Sequence, residues 1–236
     1  MPLRAFGPLF GQVHGDGTPG IVALHGWARR GSDFDRVLDG FDAVAFDLPG
    51  FGATPAPEVA TGAAGYASGV VESLHALGGG PFVLVGHSFG GRVAAVIAAT
   101  RPELVKGVVF TGVPLIRRRS AGGPSLGYRW LRRANRLGLV SDDRMERERR
   151  SRGSADYRAA SGVMRDVLVT VVNESYEAEL ARVSCPVALV WGADDLDVPV
   201  AVAEAAREVL SSAGEEVTLD VVPGVGPFTP SLAPAA

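Results

Sequence analysis

Phe82-Val-Leu-Val-Gly-His-Ser-Phe-Gly-Gly-Arg-Val-Ala-Ala-Val-Ile-Ala-Ala-Thr100 is the stretch that decides the fold. It opens with four apolar residues, Phe82 to Val85, which read as a buried strand. From Gly90 to Thr100, small and apolar residues follow in a helical pattern. Between them lies Gly86-His87-Ser88-Phe89-Gly90, which fits G-x-S-x-G. That pattern sets a serine on a strained strand–turn–helix elbow, and the glycines two residues to either side let neighbouring backbone approach. The Ser88 hydroxyl is then expected above the sheet edge, with the positive end of the helix dipole aimed at the site. An incidental serine in a glycine-rich turn would not bring strand, elbow and helix into register.

The same rhythm runs outward from the elbow. Ile21–Leu24, Ala43–Phe46, Leu104–Phe110, Val187–Trp191 and Val217–Val222 read as further strands. Ser32–Leu38, Ala63–Leu77 and Val200–Ser212 read as helices. Continuous apolar strands separated by helices predict an α/β fold: a doubly wound, mostly parallel sheet with helices on both faces. Leu3–Phe6 and Leu9–His14 read as an antiparallel pair at the sheet edge. From about Pro114 to Glu179 the alternation stops and the chain turns basic and helical. Arg117 to Arg158 holds 13 arginines against five acidic residues, and its start, Arg117 to Gly127, is rich in Gly, Ser and Pro. We read residues 114–179 as an inserted helical lid with solvated charged faces, and residues 1–113 and 180–236 as the core. A lid that steers an anionic substrate is the second reading of those charges. Nucleic-acid binding is disfavoured because no aromatic stacking pattern accompanies the arginines.

Composition narrows the function classes. The 236 residues suit a single core with an insertion. The formal charge of −3 gives no overall basic field for nucleic acid. A single cysteine, Cys185, excludes a disulfide framework and a multi-cysteine metal site, and its place before a proline and a strand marks it as core. No metal-ligand cluster or dinucleotide fingerprint is visible, so no cofactor and no metal are expected. There is no run of 18 apolar residues to span a membrane and no signal-peptide pattern at the N-terminus. The expectation is a cytoplasmic protein with a small-molecule substrate or ligand and neither nucleic acid nor membrane as partner; the oligomeric state is not legible. Only Lys106 among the 23 basic residues is a lysine, a bias we ascribe to genomic base composition.

Four motifs, in order, make the chain resemble the α/β-hydrolase fold family of lid-bearing serine esterases over nearly its whole length. His25-Gly26-Trp27 resembles the family's oxyanion loop. Asp47-Leu-Pro-Gly-Phe-Gly52 resembles its D-x-P-G-x-G turn, and Gly86–Gly90 its elbow. Trp191-Gly-Ala-Asp-Asp-Leu-Asp-Val-Pro199 resembles the W-G-x-x-D-x-x-x-P segment that carries the triad acid. The resemblance implies Ser88 as nucleophile, the backbone N–H groups of Trp27 and Phe89 as oxyanion hole, and Asp195 as the acid. Asp194 and Asp197 compete for that role, but Asp195 alone is third after Gly192 and fourth before Pro199. His25 and His87 are structural in this reading, and Phe51 and Thr54 either line the cleft or pack the turn. A serine at the elbow disfavours dehalogenase and epoxide hydrolase chemistry, which similar proteins run with aspartate there.

The pattern breaks at one position. The family's histidine loop reads roughly G-x-G-H-F, and this chain reads Gly224-Val-Gly-Pro-Phe228, with Pro227 at the position of the missing triad histidine. The four histidines, His14, His25, His75 and His87, all precede the nucleophile. Proline has no ionisable group and no N–H to replace one. Only Ser231 to Ala236 remain for a closing helix. Three explanations stay open at this point: a natural pseudo-enzyme, an altered or shortened hydrolase, or a base from elsewhere. The expected function is a serine hydrolase of small esters or related acyl substrates, impaired as written; the alternative is an inactive protein of the same fold that binds a small ligand.

Overall fold

The computed structural model describes residues 1–117, 133, 135, 141, 155–227 and 229–232. Much of the expected lid, and all of its glycine-rich start beyond Arg117, lies outside these residues. Eight strands form one sheet: β1 (Leu3–Phe6), β2 (Leu9–His14), β3 (Ile21–Leu24), β4 (Ala43–Asp47), β5 (Phe82–His87), β6 (Val105–Thr111), β7 (Val187–Gly192) and β8 (Val217–Val222). Their order is β1-β2-β4-β3-β5-β6-β7-β8. The β1–β2 and β2–β4 pairs are antiparallel, and every pair from β4 to β8 is parallel. The order steps outward in both directions from β3 and β5, so the loops after those two strands open side by side at the carboxyl edge, where such sheets hold their ligands.

The helices are α1 (Ala63–Leu77), α2 (Phe89–Thr100), α3 (Ala155–Ala159), α4 (Gly162–Val171), α5 (Glu177–Leu180), α6 (Val200–Ser212) and α7 (Thr229–Leu232). α1, α2, α5 and α6 share one large core with inward residues of the central strands. α2 can lie deep in that core because it presents little side-chain bulk: Ala94, Ala95 and Ala98 are buried with Val93 and Ile97. Cys185 packs in the same core, as expected of a small apolar side chain.

The other sheet face departs from the expectation of helical cover. The run Ser32–Leu38 forms only a 3₁₀ turn, Gly31–Phe34, followed by turns. Phe34 and Leu38 still face the sheet, over a small cluster with Ala23, Ala43 and Ala45. Three aspartates within Asp33–Asp39 and Gly40 weaken a helix here, since Asp and Gly are poor helix-interior residues. α7, four residues long, sits by that turn and the end of β7. Among the described residues nothing else helical covers this face. Val83, Val85, Val109, Ala188 and Val190, which share it by register, are only half-buried although their strands are apolar on both sides.

Candidate active site

Ser88 sits between β5 and α2 with φ 49° and ψ −112°. This is one of two non-glycine residues with positive φ among those described. A left-handed conformation costs a non-glycine residue roughly 1–3 kcal/mol, so the surroundings must hold it. They do so through three backbone hydrogen bonds. The Ser88 N–H donates to the Thr111 carbonyl at 3.1 Å, the Gly90 N–H to that of His25 at 3.0 Å, and the Arg92 N–H to that of Ser88 at 3.3 Å. The flanking glycines are required by contact: a Cβ on Gly90 would stand 2.1 Å from the Leu24 carbonyl oxygen, and one on Gly86 2.5 Å from the Gly91 Cα.

The loop after β3 lies directly beside the elbow. A Cβ on Gly26 would stand 3.3 Å from the Ser88 Cβ. His25 fixes this loop: its Nδ1–H donates to the Gly26 carbonyl at 2.7 Å, while Nε2 accepts the Leu48 N–H at 2.9 Å. Burial lowers its pKa, which suits a ring that must keep a bare nitrogen. Asp47 accepts the N–H groups of Gly31 and Ala53, both at 2.8 Å, and so shapes the turn that follows β4. The Phe89 N–H heads α2, where no preceding helical carbonyl can take it. The Trp27 N–H has no hydrogen-bond partner among the described residues. Trp27 meets Phe51 at a ring separation of 5.0 Å and Phe89 at 5.6 Å; Phe89 meets Tyr66 at 4.8 Å. An aromatic wall therefore stands beside Ser88. Phe51 belongs to it, whereas Thr54 packs the turn, its Oγ accepting the Phe10 N–H at 3.0 Å.

The acid turn after β7 organises itself. Trp191 is fully buried, and its indole N–H donates to the Val198 carbonyl at 2.7 Å. The Asp195 Oδ1 accepts the N–H groups of Asp197 and Val198 at 3.0 and 2.8 Å. Asp195 is 3% exposed, whereas Asp194 and Asp197 face solvent, which separates the three competitors. The loop after β8 crosses Gly192 so closely that a Cβ there would stand 2.3 Å from the Val225 carbonyl oxygen. This crossing carries Pro227 to the acid. A methyl group on Gly112 would stand 3.3 Å from both Asp195 Oδ2 and His87 Cε1, and 3.5 Å from the Pro227 carbonyl oxygen. Asp195 Oδ2 is buried with no hydrogen-bond partner, and so is Thr111 Oγ1. Burial pushes the Asp195 pKa up, against the two backbone N–H groups that lower it.

Two of the four histidines, His25 and His87, lie beside the elbow, and each ring is held by a backbone carbonyl. The His87 ring is buried and donates from Nδ1 to the Thr111 carbonyl at 2.9 Å; burial lowers its pKa to about 4. His14 pairs in register with Ala43 at the start of β4, the sheet end away from the elbow, and its Nε2 lies 3.6 Å from Asp35. His75 is exposed near the end of α1, beside Arg101.

One buried network had no signal in the sequence. The Arg92 guanidinium, 9% exposed in α2, donates to the Val171 carbonyl at the end of α4 and lies over the Tyr176 ring at 5.9 Å. The Tyr176 hydroxyl donates to Glu174 Oε2 at 2.6 Å, and the same oxygen accepts the Ala63 N–H at the head of α1 at 3.1 Å. The segment around 171–176 thus closes over the helix that carries Ser88. Only the spatial meeting of three distant segments shows it.

A parallel α/β sheet with a strained serine elbow at its carboxyl edge defines a class, the α/β hydrolases. The chain belongs to the alpha/beta hydrolase family, whose model matches residues 21–236. It is 32% identical over 121 residues to a human serine hydrolase-like protein, a match covering 49% of this chain and 56% of that one. The chain thus spans little more than half the length of that relative. It is 26% identical over 249 residues to the uncharacterized hydrolase YugF of Bacillus subtilis, covering 91% and 90% of the two chains. The crystal structure of MGS-MChE2, an alpha/beta hydrolase from a lagoon-sediment metagenome, shares the fold with a TM-score of 0.69 at 21% identity, over 100% of this chain and 93% of that one.

Proposed function

We propose that the chain is a serine hydrolase acting on small esters or related acyl compounds, with Ser88 as nucleophile and the N–H groups of Trp27 and Phe89 as oxyanion hole. It is impaired on ordinary esters because Pro227 stands where the triad histidine belongs. The strained backbone of Ser88, held beside the Gly26–Trp27 loop, carries this reading. The kinship with a serine hydrolase-like protein supports it. A serine hydroxyl is a weak nucleophile until a base takes its proton. Two preorganised N–H groups can stabilise the oxyanion that forms on the acyl carbon, which alone is worth a rate enhancement of about 10³–10⁴ over water. Loss of the histidine removes on the order of 10⁶ in kcat from such a triad. The half-open aromatic wall suits a small or medium apolar acyl group.

The second reading is an inactive member of the fold that binds a small ligand. The unpartnered Oδ2 of Asp195 favours it, since a working triad would satisfy that atom. One assay separates the two: turnover of short-chain p-nitrophenyl esters by the chain, Ser88→Ala and Pro227→His. We expect a trace rate in the chain, none above background in Ser88→Ala, and a rise of at least about 100-fold in Pro227→His. Silence in all three assigns the protein to ligand binding.

A further inference from the structure

The inward stripe of α4 repeats at helical spacing: Met164, Val167, Leu168 and Val171. The last three are buried in the core, whereas Met164 is only half-buried. It reaches the turn that follows β4. Its thioether lies 3.9 Å from the Tyr66 hydroxyl, and a Cβ on Gly50 would stand 2.3 Å from its Sδ and 2.5 Å from its Cε. Gly50 adjoins Phe51, whose ring meets that of Trp27 at 5.0 Å, and Tyr66 meets Phe89 edge-on at 4.8 Å. Met164 therefore touches both ends of the aromatic wall and closes it. Tyr66 and Phe89 are buried, but Trp27, Phe51 and Met164 each keep part of their apolar surface open. This open strip starts at the residue whose N–H is a proposed oxyanion donor and ends at a methionine.

We propose that Met164 is a specificity-determining residue: it ends the strip along which a straight acyl chain lies and so sets the chain length the site accepts. This rests on the hydrolase reading above and deepens it. With the acyl oxygen on the N–H groups of Trp27 and Phe89, the alkyl tail has the open edges of Trp27 and Phe51 beside it. Each methylene laid on that surface is worth about fourfold in binding, until the tail meets Met164. A thioether is unbranched and has three rotatable bonds, so this stop is a single flexible side chain. The helix behind it is held at both ends. The Arg165 Nε and Nη2 donate to the Ala160 carbonyl at 2.9 and 2.6 Å, and its guanidinium lies over the Tyr157 ring at 5.5 Å. The Val171 carbonyl at the other end accepts from Arg92. Met164→Ala thus deletes Cγ, Sδ and Cε from an anchored helix, opening space for about three methylenes.

The test is a chain-length series: p-nitrophenyl esters of the straight-chain acids from acetate to decanoate, each corrected for the enzyme-free rate. The chain, Met164→Ala and Met164→Leu are compared, alone and combined with Pro227→His. We expect kcat/KM to climb with each methylene to a limit and then fall. Met164→Ala should move that limit to an acid about two or three carbons longer, raising kcat/KM on the first ester past the old limit at least about tenfold. Met164→Leu, which nearly conserves volume, should keep the old limit. A second readout needs no turnover: calorimetric binding of the straight-chain carboxylates to Ser88→Ala and Ser88→Ala/Met164→Ala should show the same displacement of the limit. An unchanged limit in both series overturns the inference, and it leaves the hydrolase reading standing where Ser88→Ala still abolishes turnover. Silence on every ester, in Pro227→His as well, with the carboxylate limit still displaced, removes the hydrolase reading and keeps Met164 as the end of a binding strip.

Discussion

Asp195 is unevenly satisfied at the residue scale. Its Oδ1 is satisfied by two backbone N–H groups, and its Oδ2 by none. A buried acceptor without a partner costs about 1–3 kcal/mol. Asp195→Asn keeps the Oδ1 bonds and replaces the buried, unpartnered carboxylate oxygen with a neutral amide nitrogen. We expect this variant to be more stable by about 1 kcal/mol at pH 7 in urea unfolding. The folded pKa of Asp195 is raised, so its contribution is most favourable below the ordinary carboxylate pKa and declines as pH rises through the raised value. The advantage of Asp195→Asn should therefore shrink below about pH 4. His87 works in the opposite direction. Its folded pKa is lowered from 6.5 to about 4, so the stability it gives as a neutral ring is present above pH 6.5 and lost as pH falls towards 4. His87→Gln should flatten the acid limb of stability between those two values, read from unfolding at a series of pH values.

The fit of neighbouring elements decides whether the elbow exists. Gly90→Ala would drive a Cβ into the Leu24 carbonyl at the end of β3, so α2 would have to move off the sheet. Glu174 acts from further away, capping α1 while holding the Tyr176 hydroxyl that lies under Arg92. Glu174→Ala removes one cap and leaves Tyr176 unpaired. We expect a loss of about 1–3 kcal/mol in urea unfolding, with Glu174→Gln losing less than half as much. If both variants match the parent, the network is incidental to stability. The ranges of α1, α6, β1, β2, β3 and β8 were readable to the residue; in β3, α1 and α6 the apolar run or the 3.6-residue periodicity reports burial directly. The segment after β3 was not. Phe34 and Leu38 keep their inward spacing there, but the aspartates between them favour turns, and only the packing against Ala43 and Ala45 shows how short the helical part is.

At the scale of the whole molecule the two sheet faces are unequal. One carries the large core, and the other leaves Val83, Val85, Val109, Ala188 and Val190 half-buried. A half-buried apolar strip of this kind favours self-association. Val109→Thr/Val190→Thr should lower light scattering in a concentrated sample while changing the unfolding free energy by about 1–2 kcal/mol at most, since both positions are half-buried and threonine keeps the β-branched shape. A drop of several kcal/mol would mean that this face is packed in solution.

Sequence alone determined the sheet and the elbow. Apolar strands must be buried, and a G-x-S-x-G turn can only close with glycine at its flanks. Sequence also showed that Pro227 stands in the loop after β8, because a residue type is either present or absent. Only the tertiary structure decided what surrounds it. Burial of Asp195, the direction of its free oxygen and the approach of the Pro227 carbonyl depend on where the loops after β6, β7 and β8 meet, and no local pattern encodes a meeting of three segments so distant along the chain. The same holds for Arg92 and the half-buried valines: whether a side chain finds a partner is a property of the packed chain.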